Sequence, residues 1–271
     1  MSKEKKVKTK KSSKHKYSTL LDKELSFQAT EAYKALRTNL VFSLSTKGKK
    51  VFAVTSAMQH EGKSTLCANL ALTFAQMQAR VLVIDGDLRK PVQHKLFKLK
   101  NKEGLSTLLA GMSSFKAVVN EDIIPGLDVV TSGPIPPNPS EMLASENMKQ
   151  LLSELGNYYD YIMVDTPPVN VVTDALTLTD SIAGVVMVAM SGASTYDAYQ
   201  HALEAVDFAK GSVLGTVITR VPVSNGKGGY RRYGRYGYYR YGRYGYGYGY
   251  GYGNGYGYSY DNTSLKKADE E

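Results

Sequence analysis

The chain has 271 residues, 42% apolar and 22% charged, the balance of a globular domain with a real core, and no apolar run approaches the ~20 residues that span a bilayer. A single cysteine, Cys67, excludes an intrachain disulfide framework and makes a reduced, intracellular setting the expectation. The net charge of +9 sits at the ends, with eight Lys against Glu4 in residues 1–16 and Lys227 plus five Arg in residues 226–260. The stretch between is slightly acidic, which argues against a basic nucleic-acid-binding core.

Residues 1–16 carry too few apolar side chains to offset ordering entropy and are expected to be disordered. No apolar stretch follows their lysines, so a signal peptide is not expected. They read either as a solvated tail or as a segment drawn to anionic lipid. Phe27–Leu44 has helical periodicity, with Ala32, Ala35, Leu36, Leu40 and Leu44 on one side. Val51–Thr55 reads as a buried strand entering a loop, Ser64–Gln78 as a helix and Val81–Asp85 as the next strand. Asp128–Thr131, Tyr161–Asp165, Gly184–Met190 and Val213–Thr219 are further strand candidates. Continuous apolar strands alternating with helices predict an α/β fold, a mostly parallel sheet with helices on both faces. Ligand is then expected beyond the carboxyl ends of the strands. The predicted organisation is a basic N-terminus at 1–16, a folded domain at 17–225 and a low-complexity tail at 226–271.

Three segments at strand ends carry chemistry. Ala57-Met-Gln-His-Glu-Gly-Lys-Ser-Thr65 matches the phosphate-binding loop G-x-x-x-x-G-K-[ST], except that Ala57 replaces the first Gly. Such a loop points backbone N–H groups, backed by a helix N-terminus, at phosphates. The candidate nucleotide-binding residues are Ala57, Glu61, Gly62, Lys63, Ser64 and Thr65, with Lys63 on the β- and γ-phosphates and Ser64 able to ligate Mg²⁺. His60 reads as a solvent-facing loop residue. Val81-Leu-Val-Ile-Asp-Gly-Asp-Leu-Arg89 puts Asp85 and Asp87 at a strand exit, and Tyr161-Ile-Met-Val-Asp-Thr-Pro-Pro168 adds Asp165. Hard oxygen donors around a triphosphate point to Mg²⁺.

This combination, with Glu31-Ala-Tyr-Lys-Ala-Leu-Arg-Thr-Asn39 upstream, resembles the bacterial tyrosine kinases (BY-kinases) of capsule and exopolysaccharide synthesis. Gly104-Leu-Ser-Thr-Leu-Leu-Ala-Gly111 and Pro136-Pro-Asn-Pro-Ser-Glu141 are similar to further family segments. The resemblance covers roughly residues 20–225 and implies a P-loop NTPase-like fold. It implies ATP and Mg²⁺ as cofactors, Lys63 on the phosphates, Ser64, Asp87 and Asp165 around Mg²⁺, and Asp85 as the base for a tyrosine hydroxyl. Phosphoryl transfer is mostly positioning and charge stabilisation, so these groups suffice. The family's helix motif Glu-x-x-Arg-x-x-Arg contacts neighbouring subunits in a homo-oligomeric ring, here through Glu31, Lys34 and Arg37. Lys34 keeps the charge of the family's Arg but loses its bidentate fork. Thr219 stands where relatives often carry Asn near the base. The resemblance also implies a transmembrane adaptor that activates the kinase at the inner face of the cell membrane, a cognate tyrosine phosphatase, and scope for other protein substrates.

The tail holds fourteen tyrosines as candidate phosphoacceptors: Tyr230, Tyr233, Tyr236, Tyr238, Tyr239, Tyr241, Tyr244, Tyr246, Tyr248, Tyr250, Tyr252, Tyr256, Tyr258 and Tyr260. A coil of this length spans ~33 Å on average and ~115 Å fully extended. It therefore reaches a neighbour's site, and transfer in trans is the simpler geometry in a ring. Two other readings stand beside the kinase. A Tyr/Gly/Arg tract is suited to stacking on single-stranded nucleic acid, which makes a binding segment the non-enzymatic alternative. A partitioning ATPase shares the motifs, but usually carries a lysine early in its phosphate loop, where this chain has Ser56-Ala57-Met58.

Overall fold

The computed structural model describes residues 25–48 and 50–222. The expectations for the lysine-rich N-terminus and for the tail tyrosines fall outside these residues. Helix α1 (Phe27–Lys47) is started by Ser26, whose hydroxyl accepts from the Ala29 N–H, and stopped by Gly48 in the left-handed region at φ 66°. Then follow β1 (Val51–Ser56), α2 (Lys63–Ala75), β2 (Val81–Asp85), α3 (Gln93–Leu96), α4 (Leu105–Leu109) and α5 (Phe115–Val118). After β3 (Val119–Ile124), β4 (Leu127–Val130), α6 (Pro139–Ala144) and α7 (Glu146–Leu155) come β5 (Tyr161–Asp165), β6 (Val185–Met190), α8 (Tyr196–Phe208) and β7 (Val213–Thr219).

The seven strands form one sheet in the order β3-β4-β2-β5-β1-β6-β7. Every neighbouring pair is parallel except β3 with β4. β1 and β2 are buried along their whole length and β5 from Ile162 onward, as expected of a sheet covered on both faces. Alternate side chains divide between two cores. Phe52, Val54, Val81, Val83 and Met163 pack with Leu40 and Leu44 of α1 and with the apolar residues of α2. Val51, Ala53, Leu82, Ile84 and Val164 pack on the other face with Leu152 of α7 and Val206 of α8. No helix among the described residues is long and apolar enough to cross a membrane.

Three details differ from the sequence reading. Ala32 and Ala35 of α1 are exposed, and the packed stripe instead runs through Tyr33, Leu36, Leu40, Val41 and Leu44. Strand β3 was not anticipated: Val119-Asn-Glu-Asp-Ile-Ile124 is half polar because it is an edge strand closing an antiparallel hairpin. Strand β7, read as an apolar run, forms the opposite edge, and Val213 and Ile218 remain exposed.

Candidate active site

The carboxyl ends of β1, β2 and β5 converge on one locus. From β1 the chain turns through residues 57–62 and enters α2 at Lys63, with Gly62 at φ 97°, a conformation that favours glycine. The first turn of α2 thus offers its free N–H groups at the loop, the arrangement that receives phosphate. Ala57 is fully buried within the core beneath the loop, so the methyl that replaces the motif's first glycine packs against apolar side chains. His60 is exposed.

Glu61 closes the loop from inside. One carboxylate oxygen accepts from the Met58 N–H at 2.8 Å, and the other accepts from the Ser194 hydroxyl. The Glu61 carbonyl accepts from Thr219 Oγ1 at 2.7 Å. The Thr219 side chain also lies against Gly62. The loop is therefore pinned to the ends of β6 and β7, and Thr219, singled out for base recognition, has its hydroxyl engaged with the loop backbone.

Opposite the loop stand the carboxylates. Asp85 and Asp165 end neighbouring parallel strands in matched register and are fully buried. Lys63 Nζ donates to Asp87 Oδ2 at 2.9 Å and to Ser64 Oγ at 3.2 Å, and lies 3.6 Å from Asp165 Oδ1. Asp87 Oδ1 accepts from the Lys90 N–H at 2.9 Å. Asp85 Oδ2 accepts from the N–H groups of Val92 and Gln93, at 3.2 and 3.0 Å. Gln93 Nε2 donates to Asp165 Oδ2 at 2.8 Å and to the Ser64 carbonyl at 3.1 Å. Asp85 Oδ1 and Asp165 Oδ1 are buried without a hydrogen-bond partner.

The electrostatics follow from burial and proximity. Burial alone would lower the Lys63 pKa, but Asp165 and Asp87 overcome it and push the ammonium up to about 12. Burial, reinforced by the neighbouring Asp165 charge, holds Asp85 well above the usual carboxylate range. Burial raises Asp165 too, against the opposing pull of Lys63. Lys63 is the cation that makes this cluster of carboxylates tolerable. Cys67 is buried, and its thiol is pushed up by that burial, so it is not an activated nucleophile.

A second network braces the carboxylate side. Arg89 grips the buried Asp174 with two nitrogens, at 2.9 and 3.1 Å, and donates to Ser140 Oγ at 2.8 Å, while Ser140 donates to Asp174 at 2.6 Å. It ties the loop after β2 to α6 and to the segment after β5. The Pro136–Glu141 segment supplies α6 with a proline in its first turn. At Gly104, which opens α4, an added Cβ would lie 2.2 Å from the Thr131 carbonyl. Sequence reasoning named neither Gln93 nor Asp174 nor Ser194. Their only sequence signal is a polar side chain near a strand exit.

The proposed oligomer residues lie apart from this site on α1. Lys34 pairs with Glu31 at 2.8 Å on the exposed surface, and Arg37 donates to the Thr73 carbonyl of α2.

The comparisons with known proteins agree with this architecture. A family model described as an AAA domain matches residues 49–196. The chain is 38% identical over 205 residues to a putative tyrosine-protein kinase, CapB, of Staphylococcus aureus, covering 76% of this chain and 90% of that one. It is 43% identical over 189 residues to the tyrosine-protein kinase YwqD of Bacillus subtilis, covering 70% and 80%. The crystal structure of the chimerical protein CapA2B2 superposes with a TM-score of 0.72 at 37% identity, over 75% of this chain and 90% of that one. With its phosphate loop, its strand-end carboxylates and these relatives, the chain belongs to the bacterial tyrosine kinases (BY-kinases), the ATP-dependent protein-tyrosine kinases of capsule and exopolysaccharide synthesis.

Proposed function

We propose that this chain uses ATP with Mg²⁺ to phosphorylate the tyrosines between Tyr230 and Tyr260, and that each tail is presented to the site of a neighbouring subunit. The observation that carries the reading is the meeting of Lys63, at the mouth of the phosphate loop, with Asp85, Asp87 and Asp165.

Among the described residues no three or more His, Cys, Asp or Glu side chains form a self-sufficient metal cage. The donors present are oxygens from Ser64, Asp87 and Asp165, and Asp165 Oδ1 has no hydrogen-bond partner. A few hard oxygens fit Mg²⁺, which keeps several waters and takes the rest of its ligands from phosphate. Bound there, Mg²⁺ would neutralise charge on the transferring phosphoryl group. Lys63 leaves the carboxylates for the β- and γ-phosphates, and the N–H groups of the loop and the first turn of α2 hold the remaining phosphate oxygens. Asp85 is the base. Its Oδ2 is fixed by two backbone N–H groups, its Oδ1 is free of hydrogen bonds, and burial raises its affinity for a proton above that of an ordinary carboxylate. The tyrosine oxygen attacks the γ-phosphorus as the bond to ADP breaks, and the phenolic proton passes to Asp85. Asp85 is fully buried, so this role requires the departure of Lys63 to open a path to it.

The same reading divides the chain into a basic segment at 1–16, a kinase domain at 17–225 and an acceptor tail at 226–271. It includes a homo-oligomeric ring contacting through Glu31, Lys34 and Arg37, a transmembrane adaptor that brings the kinase to the membrane, and a phosphatase that resets the tail. A mixing experiment tests the trans step. A Lys63→Ala chain with an intact tail should gain phosphotyrosine when mixed with an active chain truncated after Val223. No transfer in the mixture, with full-length protein labelling itself at a concentration-independent rate, would establish transfer within one chain.

A further inference from the structure

Gln93 opens α3, and its side chain is fully buried among the charged groups of the site. Burying an amide costs free energy unless both its hydrogens and its oxygen are used; Gln93 Oε1 is buried without a hydrogen-bond partner, so the position carries a cost that an apolar side chain of similar volume would avoid. Here both contacts of the amide nitrogen go to the machinery: Asp165 Oδ2 at 2.8 Å and the carbonyl of Ser64 at 3.1 Å. Two acceptors face the nitrogen, which fixes the orientation of the amide. The backbone N–H of the same residue holds Asp85 Oδ2 at 3.0 Å. One residue therefore touches the end of β2, the end of β5 and the first turn of α2.

The two oxygens of Asp165 are sorted by this contact. Oδ2 is anchored by Gln93, whereas Oδ1 has no hydrogen-bond partner and lies 3.6 Å from Lys63 Nζ. We propose that Gln93 is a positioning residue, which holds Asp165 and the first turn of α2 in one frame so that Asp165 Oδ1 and Ser64 face a common metal–phosphate site. The inference rests on the Mg²⁺ reading above. Groups that orient a ligand's carboxylate typically change metal affinity or activity by about 10- to 100-fold when removed.

The test uses the full chain and binding of a fluorescent ADP analogue, titrated with Mg²⁺ and in EDTA, with kinase activity recorded separately. Gln93→Met preserves volume and the backbone N–H while removing both side-chain hydrogen bonds, and Gln93→Leu does the same with a different shape. The expected result for whichever variant folds with a wild-type circular dichroism spectrum is ADP affinity in EDTA within about twofold of wild type, with the Mg²⁺ midpoint raised about 10-fold or more. Kinase activity should recover at high Mg²⁺. An unchanged midpoint overturns the proposal, as does an equal loss of affinity with and without Mg²⁺. If wild-type affinity for ADP does not respond to Mg²⁺ at all, the metal reading itself fails, and the positioning role fails with it.

Discussion

The phosphate loop and the carboxylate cluster face each other across one locus but are stabilised in opposite ways. The loop is held by hydrogen bonds that close on themselves, through the Glu61 carboxylate to Met58 and Ser194 and through the Glu61 carbonyl to Thr219. The carboxylate side is left with unpartnered buried oxygens on Asp85 and Asp165 and with one ammonium, Lys63, among three acids. A satisfied polar network is rigid, whereas a buried charge cluster short of partners is a binding site for a cation or a proton. Nucleotide grip and phosphoryl transfer should therefore separate by mutation.

The largest expected effect is at Lys63, which belongs to both regions. Lys63→Ala should lower tail phosphorylation at least 100- to 1000-fold, since removing one preorganised charge-stabilising group costs about 2.7–4 kcal/mol in the transition state. A phosphotyrosine blot against wild type measures it. It should also destabilise the nucleotide-free fold, because the buried carboxylates lose their cation.

Next come Asp87 and Asp165, the acids proposed to hold Mg²⁺. Asp87→Asn and Asp165→Asn should raise the Mg²⁺ requirement about 10- to 100-fold with less effect on binding of ADP in EDTA. Glu61→Ala should do the reverse and weaken ADP equally in Mg²⁺ and EDTA, because it loosens only the loop. Equal behaviour of the two classes would dissolve the distinction between the regions.

Asp85→Asn should trade activity for stability. The amide keeps an acceptor for the N–H groups of Val92 and Gln93 but removes a buried charge, so the variant should melt higher, by about 2–4 °C per kcal/mol gained in a domain of this size. The native Asp85 pKa is raised, so between the ordinary carboxylate range and that raised value the native state binds more protons than the unfolded chain. Wild-type stability from this group therefore falls as pH rises through the window, and the advantage of Asp85→Asn should shrink in acid. Differential scanning fluorimetry across pH reads it. The smallest effect is at the surface: Lys34→Ala removes an exposed pair with Glu31 and should change stability by less than about 1 kcal/mol.

The loop and the strand-end acids were legible because their chemistry is local. A helix N-terminus needs Gly62-Lys63-Ser64 in consecutive order, and a buried apolar run ending in Asp reads as a strand exit. Gln93 and Asp174 were not legible, because the partners of their side chains lie 29 to 85 residues away in sequence, and a lone Gln or Asp in a polar stretch looks like a solvated loop. Strand β3 escaped for a related reason, since an edge strand needs no continuous apolar run. The face of α1 was misjudged at Ala32 and Ala35, where small side chains fit either a core or solvent. Tyr33 carries a hydroxyl yet packs inward, where it accepts from Asn69.

The central claim is that Lys63 and the three strand-end acids form a site that moves phosphate onto the tail tyrosines. Intact-mass and peptide mass spectrometry of the purified chain, incubated with ATP and Mg²⁺ beside Lys63→Ala and an EDTA control, tests it most directly. The account predicts mass increments of whole phosphoryl groups mapping to residues 230–260 in wild type and none in either control. Phosphotyrosine that persists in folded Lys63→Ala protein, or wild-type protein that hydrolyses ATP without modifying any tyrosine, would contradict it.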